Sequence, residues 1–211
     1  MKIDILCSSS VHPVNAMLEK WKSNHLDHEV RIIRKKEELA VGDLLFLISC
    51  SEILREDSLK HYVKSLVIHA SDLPQGRGWS PHIWAVIEGQ CEIVVTLLEA
   101  AEFVDSGDIW KKIHCDVPKT ALFEEINDIV FDAERQLMDF AVENFHNIKP
   151  IKQIDIEGGG YYPKRTPQDS QIDPNKTLAD QFDLIRVCDN QRFPAYFEYR
   201  GSKYKIVLEK I

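Results

Sequence analysis

Two side chains able to move protons stand at matching places in the chain. His69 follows the apolar run Leu66-Val67-Ile68, and Asp105 follows the apolar, β-branched run from Cys91 to Leu98 by way of Glu102-Phe103-Val104. Short apolar runs bounded by polar residues predict buried strands, so each ionisable group is expected on a loop at a strand end. An imidazole exchanges protons near neutral pH, and a carboxylate beside it can orient the ring or stabilise its charged form. Between the two, Ser71-Asp72-Leu73-Pro74 and Gly76-Arg77-Gly78-Trp79-Ser80-Pro81 cannot continue a strand, and no helix can start before the second proline. From Pro81 onward, Ile83, Trp84, Val86 and Ile87 recur at helical spacing and Gly89 stops the pattern. Trp84 is expected in the core, whereas Trp79 stands on the loop, free to flank a ligand.

The surrounding elements must bring His69 and Asp105 together. Residues 2–7 predict a first strand, followed by Ser8-Ser9-Ser10-Val11-His12-Pro13 and a helix from Val14 to Asn24 carrying Met17, Leu18 and Trp21. A polar loop before a helix start suits anion capture, which makes Ser9 and Ser10 candidates for substrate contact. Equally, Ser10 reads as a plain N-cap. The loop lacks the Gly-x-Gly-x-x-Gly pattern, so a dinucleotide is not indicated. Glu29 to Ile33 predicts a second strand, and Asp43 to Ile48 (DLLFLI) a central one covered on both faces. A short helix or turn is expected within 52–61. The strand Ile109 to His114 leads to a long helix, Lys119 to Asn144, whose acidic residues Glu124, Glu125, Asp128, Asp132 and Glu134 are expected on a solvated face. Strands alternating with helices predict a doubly wound, mostly parallel α/β sheet, with ligands beyond the carboxyl ends of its strands.

Residues 150–176 differ, being punctuated by Pro150, Gly158-Gly159-Gly160, Pro163, Pro167 and Pro174. The division expected is a catalytic domain over 1–149 and an extension over 150–211. The extension comprises a loop, an amphipathic helix from Thr177 to Cys188, and a hairpin around Tyr199-Arg200-Gly201-Ser202-Lys203. An apolar hairpin on a small domain suggests a homodimer.

A net charge of −8 argues against a nucleic-acid partner, while a few local cations suffice for a diphosphate. No run approaches a membrane span, and the N-terminus reads as a strand rather than a signal peptide. Five cysteines without a Cys-x-x-Cys pair suggest neither a disulfide frame nor a zinc site, and no metal is expected. A cytoplasmic location with reduced thiols is the expectation.

The ordered set His69, Ser71, Leu73, Pro74, Arg77, Gly78, Pro81, Trp84, Ala85, Gly89, Asp105, Gly107 and Asp108 resembles the formyltransferases that use 10-formyltetrahydrofolate. The resemblance implies that His69 and Asp105 are catalytic, acting on an amine held against a formyl carbon. It also implies a folate slot formed by Ser71, Leu73, Glu102, Val104 and Asp105. Such enzymes carry an asparagine two residues before the histidine, whose amide polarises the formyl oxygen; this chain has Val67. Another donor must then serve, and backbone N–H groups of Ser49, Cys50 and Ser51 are candidates.

A second resemblance lies in the tail, where Arg165-Thr166-Pro167-x-Asp169, Ile172-Asp173, Ile185-Arg186 and the final Gly-x-Lys strand are similar to formyltransferases acting on nucleotide-linked amino sugars. It implies that Tyr161, Tyr162 and Lys164 lie near the acceptor; the other reading is a surface loop used in packing. Arg77 either binds the acceptor or braces the loop. The HASDLPQGRGWSP string most resembles the formyltransferases of pseudaminic acid pathways, implying a UDP-linked 4-amino-4,6-dideoxy sugar as acceptor. Glycinamide ribonucleotide formyltransferase and a catalytically silent folate- or nucleotide-binding homologue are the rival readings.

Overall fold

A computed structural model of the chain describes residues 1–154 and 160–211, so Gly158 and Gly159 lie outside the described residues. A six-stranded sheet runs in the order β2-β1-β3-β4-β6-β7. Its strands are β1 (Lys2–Leu6), β2 (Glu29–Ile33), β3 (Gly42–Leu47), β4 (Tyr62–His69), β6 (Glu92–Glu99) and β7 (Ile109–Asp116); β5 is a two-residue strand, Arg77–Gly78. The first four sheet strands are parallel, while β6 pairs antiparallel with β4 and β7 antiparallel with β6. This is the mostly parallel α/β sheet that the strand and helix alternation predicts.

Strand β3 is apolar along its length because both of its faces are covered. Leu44, Phe46 and Ile48 enter a large core with α1 (Asn15–Asn24) and α4 (Phe123–Glu143), while Leu45 and Leu47 enter a smaller cluster on the other face. Trp21 of α1 fills the large core, and its indole N–H donates to Asp139 of α4 at 2.7 Å. A short helix α2 (Glu56–Leu59) precedes β4, and α3 (Pro81–Ile87) starts at the second proline.

Several expectations change. Strand β4 begins at Tyr62, because pairing such as Lys64 with Leu44 continues the ladder past the apolar run. His69 is therefore its last residue rather than a loop residue. Ser10 does not cap α1; Val14 holds that position without a side-chain bond, and the Asn15 amide ties the loop by donating to the Ser9 and His12 carbonyls. Helix α4 starts at Phe123, where Glu125 accepts the Leu122 N–H at 2.8 Å. Glu134 is not on a solvated face: it is 6% exposed, turned toward the sheet.

The tail helix is shorter than its pattern, a 3-10 turn over Ala179–Gln181 followed by α5 (Phe182–Arg186). Thr177 Oγ1 accepts the Asp180 N–H at 3.2 Å just ahead of that turn. Buried Arg186 fixes α5 to the main body by donating to the Pro118 and Ala121 carbonyls. Strand β8 (Tyr161–Tyr162) pairs with β5, and β9 (Tyr196–Tyr199) and β10 (Ser202–Lys205) form the hairpin, turning at Arg200 and Gly201 with φ of 50 and 79. Among the described residues no helix is long and apolar enough to cross a membrane.

Candidate active site

His69 and Asp105 meet, though not as two strand ends side by side. Because β6 runs against β4, its last residue Glu99 lies back beside Leu66. Residues 100–108 then fold back, held where Ala100 N–H donates to Ser65 and Glu99 N–H to Asp108. A side chain at Gly107 would overlap the Glu99 carbonyl, so only glycine permits so tight a return. Asp105 takes the left-handed conformation, φ 56, and its Oδ1 comes to 3.6 Å from His69 Nδ1. Both residues are 8% exposed. His69 Nε2 lies 3.0 Å from the Gly76 carbonyl, which can only accept, so Nε2 carries a hydrogen. In the neutral ring Nδ1 is then the nitrogen without a hydrogen, and it faces the Asp105 carboxylate. The other Asp105 oxygen accepts the Gly78 N–H at 3.2 Å.

The loop between them is covered from the far end of the chain. Strands β5 and β8 pair in parallel, and Trp79 N–H donates to the Tyr162 carbonyl at 3.0 Å. Gly78 has φ 106, and a Cβ there would overlap that same carbonyl oxygen, so glycine is required at this crossing. The Lys164 ammonium lies 4.7 Å from the Trp79 ring centre. Arg77, Trp79, Tyr161, Tyr162 and Lys164 are therefore neighbours around Gly78, whose N–H meets Asp105.

Tyr162 is a strut: its ring stacks on Trp84 at 6.1 Å and 7°, and its hydroxyl donates to Glu88 at 2.8 Å. Burial, then the Glu88 carboxylate, push its phenol up to about 12. Trp84 is not core: it lies between Tyr162 and the Arg165 guanidinium, donating its indole N–H to the Pro163 carbonyl.

The remaining candidates divide. Ser71 Oγ donates to the Gln75 carbonyl, and its own carbonyl accepts from Thr96 Oγ1, so it shapes the loop. Leu73 is wholly buried, with its carbonyl taken by Lys112. Glu102 and Val104 are exposed on the 100–108 loop, and so is Phe103, which sequence reasoning passed over. Ser9 and Ser10 lie on the loop after β1; the Ser9 carbonyl is bound by His12 and Asn15, and Ser10 is exposed.

Val67, between Leu47 and Leu98 in the sheet, shares its face with His69 by strand alternation. The Ser51 N–H is taken by Ser8 Oγ at 2.9 Å and is not available as an oxyanion donor; Ser49 stands at φ 47 at the end of β3. A cavity of about 340 Å³ lies against the loop, lined by Ser71, Asp72, Gln75, Gly76, Pro81 and Tyr162 among others. Gln153 was also missed: its amide donates to the Asp105 and Gly107 carbonyls, and nothing local in the sequence marks it.

Residues 5–142 match the formyl transferase family, and the chain belongs to it. It is 29% identical to a methionyl-tRNA formyltransferase of Clostridium acetobutylicum over 189 residues, covering 88% of this chain and 60% of that protein. The chain thus spans about three fifths of the length of that relative. A methionyl-tRNA formyltransferase from Clostridium thermocellum superposes with a TM-score of 0.80 at 23% identity, over 96% of this chain and 90% of that one. A 4-N formyltransferase from Francisella tularensis superposes with a TM-score of 0.76 at 20% identity, over 100% and 98%.

Proposed function

We propose that this chain is an N-formyltransferase, carrying a formyl group from 10-formyltetrahydrofolate to the amine of a nucleotide-linked 4-amino-4,6-dideoxy sugar, a UDP-sugar of the pseudaminic acid type. The observation that carries it is the β5–β8 pairing, which brings Tyr161 and Lys164 onto Arg77 and Trp79 directly beside Asp105. Aromatic faces and cations at one mouth suit a base and a diphosphate, so in this reading these residues, with Ser9 and Ser10, receive the acceptor. Exposed Phe103 and Val104 precede Asp105 in the chain and suit an aromatic heterocycle, and in this reading they receive the folate with Ser71 and Glu102, over buried Leu73.

The folate, when bound, supplies the formyl carbon. His69 takes the proton that the attacking amine loses, at Nδ1, and Asp105 stabilises the resulting imidazolium. The oxyanion donor in place of the family amide is assigned to backbone N–H groups of Ser49 or Cys50 at the adjacent end of β3.

The second reading, methionyl-tRNA as acceptor, is favoured by the Clostridium acetobutylicum relative. A net charge of −8 weighs against it, since tRNA binding relies on clustered cations. Purified protein with formyl-labelled donor and a panel of UDP- and dTDP-amino sugars, beside methionyl-tRNA, separates the two. Label is expected on a sugar amine. Label on methionyl-tRNA alone overturns the sugar assignment, and transfer to neither overturns the enzymatic reading.

A further inference from the structure

The first residues of the loop that opens the extension lie along the 100–108 loop that carries Asp105. Ile151 exchanges two 2.8 Å backbone bonds with Ile109, the first residue of β7. Two residues later the Gln153 side chain reaches across the turn that carries Asp105. Its NH2 donates to the Asp105 carbonyl at 3.0 Å and the Gly107 carbonyl at 2.7 Å, and its Oε1 lies 3.4 Å from an Arg77 guanidinium nitrogen. Only a carboxamide offers two donors and an acceptor in that arrangement. Glutamate, when ionised, would set negative oxygens against two carbonyls, and methionine has the length without the bonds.

The two carbonyls belong to the turn in which Asp105 adopts φ 56, a conformation that side-chain-bearing residues rarely hold without support. That turn decides where the carboxylate points: one oxygen toward His69 Nδ1, the other onto the Gly78 N–H. We infer that Gln153 is a positioning residue, whose carboxamide holds the Asp105–Gly107 turn so that the Asp105 carboxylate bridges His69 and Gly78. Through Arg77 it also ties that turn to the acceptor side. The inference rests on His69 and Asp105 being the proton-transfer pair.

The test uses the full chain, the variants Gln153→Met and Gln153→Glu, and Asp105→Ala as reference for losing the acceptor of the Gly78 N–H. Amide hydrogen exchange, read without substrate, is expected to speed up at Gly78 by about tenfold or more in Gln153→Met, approaching Asp105→Ala, with the β1–β4 amides unchanged. Combining Gln153→Met with Asp105→Ala should add nothing further at Gly78. In turnover, kcat is expected to fall about ten- to a hundredfold with the donor KM held within about twofold, as for a misaimed catalytic group. Gln153→Glu should be at least as damaging at pH 8 as Gln153→Met.

Unchanged Gly78 exchange, or exchange rising evenly through the sheet, overturns the positioning role. If wild-type protein transfers no formyl group, the functional reading fails on its own, while the exchange comparison still decides what Gln153 holds.

Discussion

Glu134 gives a quantitative test of how the helix layer packs on the sheet. It faces inward from α4, and its Oε2 has no hydrogen-bond partner among the described residues. Burial pushes its carboxyl up to about 8 from an ordinary 4.5. The folded state therefore binds the proton more tightly than the unfolded one. Its stabilising contribution is complete below about pH 4.5 and is lost as pH rises through 8. His12 and His82 act oppositely: burial pushes both imidazoles down to about 4 from 6.5. Their contribution grows with pH between those values and levels off about one pH unit above 6.5.

Stability should then peak near pH 6.5 and fall by about 1 kcal/mol between 6.5 and 8, where the loss from Glu134 outruns the last of the histidine gain. For a chain of this size that is roughly 2–4 °C in Tm. Glu134→Gln should remove the falling limb, whatever its effect on the level at pH 5.5. Thermal unfolding of both proteins from pH 5 to 8.5, at constant ionic strength, reads the slopes. A wild-type profile flat above 6.5, or a variant falling in parallel with it, would refute the reasoning.

Two further outcomes follow from the covered loop. Gly78→Ala forces a side chain against the Tyr162 carbonyl at φ 106; it should loosen the β5–β8 pairing, raise the acceptor KM at least severalfold and cost about 1–3 kcal/mol of stability in urea titration. Lys164→Ala removes the exposed cation over Trp79; steady-state kinetics should show the acceptor KM rising about three- to tenfold, with kcat and the donor KM near wild type.

The parts legible in the sequence are those whose burial is local and continuous. Glu29 to Ile33 is a strand with its expected bounds, and the DLLFLI stretch, apolar because both of its faces are covered, is a strand beginning and ending one residue earlier than expected. His69 and Asp105 were legible from ordered motif residues, and they stand together. Glu134 was misread because it was grouped with its acidic neighbours. Its spacing from Val130 and Leu137, both buried, puts it on the apolar stripe.

What escaped depends on distant pairing. Two residues, Tyr161 and Tyr162, become a strand only because Arg77 and Gly78 offer an edge, and Trp84 leaves the core to serve as their platform. The tail helix shrinks to α5, fixed by Arg186 reaching carbonyls before α4. Gln153 sits in a polar stretch without periodicity, and its role arises solely from the loop it meets.

If the His69 imidazole carries the proton of an attacking amine, its loss must stop transfer without touching folate binding. Single-turnover formyl transfer by wild-type protein and by His69→Asn, each first titrated for folate affinity, measures it most directly. Folate should bind both alike, and transfer should drop by roughly a hundredfold or more in the variant; a variant transferring at the wild-type rate would contradict a proton-transfer role for His69.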